Sequence, residues 1–239
     1  LLQAAYDVNH YTLHIEVQPD RRFLIGEVEM RAMSLEPLSQ IEIDLDPRYS
    51  IQTVKINDEI ANYTKHGGKL VLSGHDIAAN STFTTSVSYR GRPYIAENPP
   101  WDGGFVFTET ESGEHWIATA VQGRGCDLYW PCKDHISDKP ELGADMHITV
   151  PSNLVAVMNG VLVSEATVAG KTTYHWQTTN PISTYHLAIN IGPFKTYQLQ
   201  HKNALTGNNS FPIIFYHVTD DIGKIETLIQ DDFTKQLAW

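Results

Sequence analysis

Residues 118–141 read ATAVQGRGCDLYWPCKDHISDKPE. A Gly-flanked turn, an aromatic pair at Tyr129 and Trp130, and a run of charges follow one another, a pattern that fits neither a plain strand nor a plain helix. Gln122 is followed by Gly123, Arg124 and Gly125, which lets the backbone bend sharply and approach a ligand closely while long polar side chains project beside it. Taken alone, the same residues also describe an ordinary glycine-rich surface turn. What lies on either side of the stretch decides what the turn belongs to.

Upstream, Tyr11, Leu13, Ile15 and Val17 alternate with Thr12, His14, Glu16 and Gln18, the period of a strand with one buried face. His10 and His14 then fall on the solvated side, and rings four residues apart on a strand stand ~13 Å from one another, too far to share an ion. Pro19 to Arg22 reads as a turn and Phe23 to Met33 as the returning strand of a hairpin. Ile41 to Leu45, Ile51 to Ile56, Lys69 to Leu72 and Thr82 to Tyr89 repeat the pattern, with Gly, Asn and Ser between them. Strands at this density predict an all-β layer. Pro93 to Gly104 holds prolines and glycines that bar a central strand, so it is a long loop carrying Trp101, either as a pocket wall or as a lid over the sheet edge.

Downstream, Met146 to Val150, Leu154 to Met158, Val161 to Glu165, Lys171 to Gln177 and Tyr185 to Ile191 read as further strands. The polar, Asn- and Gly-containing stretch from His201 to Ser210 reads as a linker, and Phe211 to His217 as one more apolar strand. The period then changes. Ile222, Ile225, Ile229, Phe233 and Leu237 recur at three- and four-residue steps, predicting an amphipathic helix over Asp220 to Leu237 with Thr219 or Asp220 as its N-cap. A helix that reaches the last residues reads either as the opening of a second domain that is cut short or as a C-terminal helix packing on the sheet.

At 239 residues, 41% of them apolar, the chain is long enough for one large or two smaller cores. Acidic residues outnumber basic ones by 28 to 17, for a net charge of -11, which argues against a nucleic-acid partner and favours small molecules or peptides. No run approaches the ~20 apolar residues of a membrane helix, and the first residues lack the basic and apolar regions of a signal peptide; a leader removed earlier fits the same beginning. If the segment between Cys126 and Cys132 is extended, the two lie ~20 Å apart, which predicts free thiols. Two cysteines neither make a zinc site nor separate a cytoplasmic from a periplasmic or secreted setting.

Ala118-Thr119, Gln122, Trp130-Pro131-Cys132, Asp134 and Lys139 resemble a segment of the gluzincin zinc aminopeptidases, the family of aminopeptidase N and the leukotriene hydrolases. That segment typically reads A-T-Q-F-E-P-T-A-A-R-x-x-F-P-C-F-D-E-P-x-x-K. Ser183-Thr184-Tyr185, Leu187-Ala188, Gly192 and Phe194 are similar to the family's S-T-Y-L-L-A-F-x-x-G-x-F strand. Asn159-Gly160 and Gly104-Phe105 resemble two shorter family steps, so that the likeness spans most of residues 6 to 200. Ala120 stands where the family has Gln, Asp127 where it has Arg, and Lys133 and His135 where it has Phe and Glu.

The resemblance implies a saddle-shaped, β-sandwich-like N-terminal domain over residues 1–203. It also implies that residues 204–239 are the first strand and helix of a truncated thermolysin-like α/β catalytic domain. It implies a parent enzyme that removes N-terminal residues from peptides by metal-assisted hydrolysis, zinc polarising the first peptide carbonyl and a Glu acting as general base. The zinc motif H-E-x-x-H and the substrate motif G-x-M-E-N are both absent from the sequence. The fragment is therefore expected to be inactive by itself, with no catalytic residue and no metal ligand, its partners being peptide substrates and the missing catalytic domain. The family position of Gln122 lines the pocket for the substrate's first residue near its free amino group, which makes Gln122, Gly123 and Arg124 the candidate substrate-binding residues. Asp134 and His135, beside Lys133 and Lys139, read as ion-pairing or structural groups rather than as an acid-base pair. The reading from another class is a stand-alone β-sandwich interaction or carbohydrate-binding module with Trp101, Trp116 and Trp130 as stacking platforms.

Overall fold

The computed structural model describes residues 2–121, 123–202 and 210–229. The chain divides into two compact units, Leu1–Ile191 and Gly192–Trp239. Strands of the first unit begin with β1 (Tyr6–Gln18), β2 (Phe23–Ser34), β3 (Leu38–Asp44), β4 (Ser50–Ile56) and β5 (Glu59–Ile60). They continue with β6 (Asn62–His66), β7 (Lys69–Ile77), β8 (Thr82–Gly91), β9 (Gly104–Glu109) and β10 (His115–Ala120). The remainder are β11 (Ala144–Pro151), β12 (Val155–Val157), β13 (Val161–Val168), β14 (Lys171–Thr178) and β15 (Asn190–Gly192).

Eight strands form one sheet in the order β13-β14-β11-β1-β2-β8-β4-β5. β1 and β2 make the expected hairpin, closed by the short helical turn Pro19–Arg21. β1 also pairs in parallel with β11, Leu13 opposite Met146, a contact between segments far apart in sequence. Alternation places the core: Tyr11, Leu13, Ile15 and Val17 are all buried, as are Val28, Met30, Val87, Tyr89, Met146 and Ile148 from neighbouring strands. Each such side chain contributes roughly 1.5–3 kcal/mol by leaving water. Two smaller sheets, β3-β7-β6 and β12-β15-β10-β9, turn Ile41, Ile43, Leu70, Leu72, Ile117 and Ile191 inward.

The solvent side of the large sheet carries His10 and His14 as the alternation places them, beside histidines of two neighbouring strands. His14 stacks on His147 at 4.3 Å and His147 on His175 at 4.0 Å, across three adjacent strands. His10 and His175 both contact the Asp145 carboxylate, at 3.2 and 2.7 Å. Burial, with His14 and His175 as like-charged neighbours, lowers the His147 imidazole to about 4. The loop before β9 leaves Trp101 75% exposed, so it is not a lid over the sheet edge. Tyr185 to Ile191, expected as a strand, is instead a helical turn at Thr184–His186 followed by the three residues of β15.

In the second unit, β16 (Lys195–Lys202) pairs antiparallel with β17 (Ser210–His217), and a short helix α1 (Ile222–Thr227) follows. The stretch expected as a linker therefore joins two paired strands, with residues 203–209 outside the described part. The N-cap is Asp221, one residue later than expected; its side chain accepts from the Lys224 backbone N–H at 3.2 Å. Beyond Ile229 the expected helix, including Phe233 and Leu237, lies outside the described residues. Among the described residues no helix is long and apolar enough to cross a membrane.

Candidate substrate-facing segment

β10 delivers the chain to the turn that dominates the sequence. Its outer neighbours β9 and β15 hold it on both sides, through Ala118 opposite Val106 and Asn190. Val121 then leaves the sheet, and the Arg124 backbone N–H returns to the Val121 carbonyl oxygen at 3.0 Å, closing a turn that includes Gly123. Gln122 itself lies outside the described residues. Gly123 sits at a φ of +68°, the left-handed region that glycine enters without strain, and a Cβ there would meet nothing within 4 Å. The backbone at that point faces open space. Arg124 places its guanidinium 5.0 Å over the Tyr94 ring and 3.9 Å from the Asp102 carboxylate.

Behind the turn the chain is fastened at nearly every residue. Gly125 leaves room for the Asp134 carboxylate, whose Oδ2 would lie 1.8 Å from an added Cβ. A helical turn at Cys126–Leu128 folds the segment back, with the backbone N–H groups of Tyr129 and Trp130 both donating to the Cys126 carbonyl. This compaction brings the Cα atoms of Cys126 and Cys132 to 6.3 Å, and the two sulfurs form a disulfide. The expectation of free thiols is thereby corrected, because it rested on an extended segment.

Three tyrosines serve as posts. The Tyr49 and Tyr89 hydroxyls donate to the carbonyls of Leu128 and Tyr129, both at 2.7 Å, and the Tyr129 hydroxyl reaches the Ala120 carbonyl. Trp130 is fully buried with its ring edge-on to Tyr11 at 4.8 Å. Cys132 exchanges both backbone hydrogen bonds with Asp44, and the Lys133 backbone N–H donates to the Tyr11 hydroxyl at 2.9 Å. The buried Lys133 ammonium donates to the Tyr6 carbonyl at 2.6 Å, lies over the Tyr6 ring and pairs with the buried Asp138. Neither Asp134 nor His135 is its partner.

Carboxylates crowd the inner side. Asp44 accepts from the Asp134 backbone N–H at 3.0 Å and pairs with Lys69, while Asp46 pairs with Arg48 at 2.7 Å. Burial, followed by the charges of Asp134, Asp44 and Asp46, pushes the Asp127 carboxyl up to about 6. Burial and Asp44 raise Asp134 as well. The tyrosine posts and this carboxylate group have no local mark in the sequence, since Asp44 comes from β3, Asp46 and Tyr49 from the connection to β4 and Tyr89 from β8, all far along the chain from Asp127, Tyr129 and Asp134. Trp130, expected in one reading as an exposed stacking platform, is buried at 1% exposure and cannot serve as one, whereas Trp101 and Trp116 are exposed. Among the described residues no group of His, Cys, Asp and Glu is arranged to hold a metal ion.

The model of the peptidase M1 N-terminal domain matches residues 7–186, which is most of the chain and includes the whole fastened segment. The chain belongs to the peptidase M1 N-terminal domain family. Among solved structures, this M1 N-terminal domain is similar to the M1 zinc metallopeptidase of Deinococcus radiodurans, with a TM-score of 0.73 and 21% identity over 95% of this chain and 53% of that one. A mutant of that peptidase bound to a Tyr-Ser-Ala substrate matches at a TM-score of 0.72 and 21% identity, over 96% of this chain and 54% of that one. Native yeast LTA4 hydrolase matches at 0.62 and 18%, over 81% of this chain and 30% of that one. At these identities the likeness establishes the fold, a mainly β M1 N-terminal domain, and the chain spans about half the length of the bacterial structures. A comparison with curated protein sequences finds no match.

Proposed function

We propose that this M1 N-terminal domain forms one wall of the substrate pocket in a zinc-dependent aminopeptidase. Residues 1–203 are its β domain, and residues 204–239 open the catalytic domain that supplies the metal. The observation that carries the reading is the contrast within one segment: a turn whose backbone faces open space at Gly123, fastened from behind by a disulfide, three tyrosine hydroxyls and a buried ion pair. A turn held this firmly can position a polar group against a ligand without losing conformational entropy on binding.

In this reading the Gln122 side-chain oxygen accepts a hydrogen bond from the substrate's terminal ammonium, Gly123 lets the substrate approach the backbone, and Arg124 braces the turn against Tyr94. The chemistry of hydrolysis is left, in this reading, to the catalytic domain. The part of the β domain is to bind and orient the chain end.

The test is made on two proteins, the 239-residue chain and its full-length parent. The parent is expected to carry one zinc and to hydrolyse amino-acid amides but not N-terminally blocked ones, and the 239-residue chain to show neither property. One tightly held zinc in the 239-residue chain, or no amide hydrolysis by a zinc-loaded parent, overturns the reading.

A further inference from the structure

Only seven arginines occur in this acidic chain, and four of them, Arg21, Arg22, Arg48 and Arg92, line a single cavity of about 530 Å³ together with Tyr94 and Ile95. The sheet topology gathers them. β2, β8 and β4 are antiparallel neighbours, with Leu24 opposite Gly91 and Ser50 opposite Arg90. The start of β2, the end of β8 and the start of β4 therefore meet at one end of the sheet. Arg21 and Arg22 sit just before the first, Arg92 just after the second and Arg48 just before the third.

Three of the four guanidinium groups are braced by aromatic faces. Arg21 lies 5.0 Å over Phe23, Arg22 6.0 Å over Phe107 and Arg48 4.7 Å over Tyr94, whose ring also carries Arg124 at 5.0 Å. A guanidinium stacked by its face still presents its N–H edge for a planar contact with an oxyanion; Arg21 uses one N–H on the Gln18 side-chain oxygen at 3.1 Å and Arg48 one on Asp46 at 2.7 Å, which leaves their other donors for a ligand.

Counter-charge is scarce. Asp20 is the one carboxylate in the lining, and it contacts His115 at 2.8 Å. Arg48 has Asp46, but among the described residues Arg21, Arg22 and Arg92 pair with no carboxylate. Like charges gathered without a counter-ion repel one another, and a shared anion relieves this.

We propose that this cavity binds the phosphoryl group of a small phosphate-bearing molecule. A carboxylate brings one charge and one plane, enough for a single arginine fork; a tetrahedral dianion presents three oxygens, which suits forks arriving from three separate connections. The cavity is larger than a phosphate ion and within the usual range of small-molecule sites, and Pro93 and Ile95 give an organic portion an apolar place to rest. It is far too small for a nucleic-acid groove, and the chain's net charge of -11 opposes a polyanionic partner.

The test is calorimetric titration of the full-length protein at fixed ionic strength with phenyl phosphate, inorganic phosphate and acetate. Saturable binding of the two phosphates is expected, and each of Arg22→Gln and Arg92→Gln should weaken it about ten-fold or more. Arg22→Lys, which keeps the charge but loses the fork, should also weaken it, and Arg31→Gln, on the exposed side of β2, should leave it unchanged. Tighter binding of phenyl phosphate assigns an organic phosphate as ligand, and equal binding assigns the free ion; both support the site. Melting temperatures confirm that the variants are folded. Absence of saturable binding, equal affinity for acetate, or full affinity in a folded Arg22→Gln/Arg92→Gln double variant overturns the proposal.

Discussion

Replacing Asp138 by Ala removes the counter-ion of Lys133 where solvent has little access, since the two side chains are 6% and 9% exposed. Lys133 would keep its hydrogen bond to the Tyr6 carbonyl and its place over the Tyr6 ring, but its charge would be left uncompensated. Breaking a buried pair from one side costs about 3–5 kcal/mol, because the remaining charge has lost both its partner and its water. For a domain of this length each kcal/mol lowers Tm by roughly 2–4 °C, so a fall on the order of 10 °C is expected. Replacing both residues, Lys133→Met with Asp138→Leu, should recover most of the loss, since the desolvation cost disappears together with the attraction. Urea denaturation of the two single variants and the double variant gives the coupling directly. A cavity of about 530 Å³, lined in part by Lys133 and Asp138, adjoins the pair. If that cavity hydrates the pair, Asp138→Ala will cost less than about 1 kcal/mol, as surface pairs do, and the reasoning from burial fails.

Removing the disulfide with Cys126→Ser and Cys132→Ser, which opens a loop with a sequence separation of 6, should cost about 2 kcal/mol, read as a shift in urea midpoint that reductant reproduces in the parent sequence. Asp127, with its folded carboxyl at about 6 against an ordinary value near 3.8, holds its proton more tightly folded than unfolded, so stability falls as pH rises from ~4 through ~6 and the deficit is complete above that. Asp127→Asn should therefore stabilise the protein at pH 7.5 by roughly 2 kcal/mol, allowing for partial solvent screening, and change little at pH 4; equal effects at both pH values would contradict this. Gly125→Ala forces the Asp134 carboxylate aside and should cost about 1–3 kcal/mol in denaturation, whereas a neutral substitution would mean that Asp134 moves freely.

The alternation of Tyr11, Leu13, Ile15 and Val17 was readable because a strand with one buried face repeats every second residue, and all four are in the core. The parallel partner of that strand was not, since Met146 lies far along the chain and pairing at such distance leaves no local mark. β9 and β10 escaped for a different reason: several of their residues are only half-buried, so no clean alternation develops. The Cys126–Cys132 bridge was missed by treating the intervening residues as extended, when two N–H groups folding onto the Cys126 carbonyl shorten the path. The turn closed between Val121 and Arg124 was readable from the glycines at 123 and 125. The arginine cavity was not, because its members lie on three connections that only the sheet brings together.

The central claim, that the turn after β10 touches the substrate, is tested most directly by Gln122→Ala in the full-length enzyme, with steady-state kinetics on amino-acid amides, zinc content and melting temperature measured on the same preparation. A hydrogen bond to a charged group is worth roughly 1.5–3 kcal/mol, so kcat/KM should fall on the order of ten- to a hundred-fold with zinc content and Tm unchanged. Gln122→Glu, which keeps the acceptor and adds a negative charge facing the substrate ammonium, should retain activity or bind more tightly. Unaltered kinetics in Gln122→Ala would contradict the account and leave the turn a purely structural role.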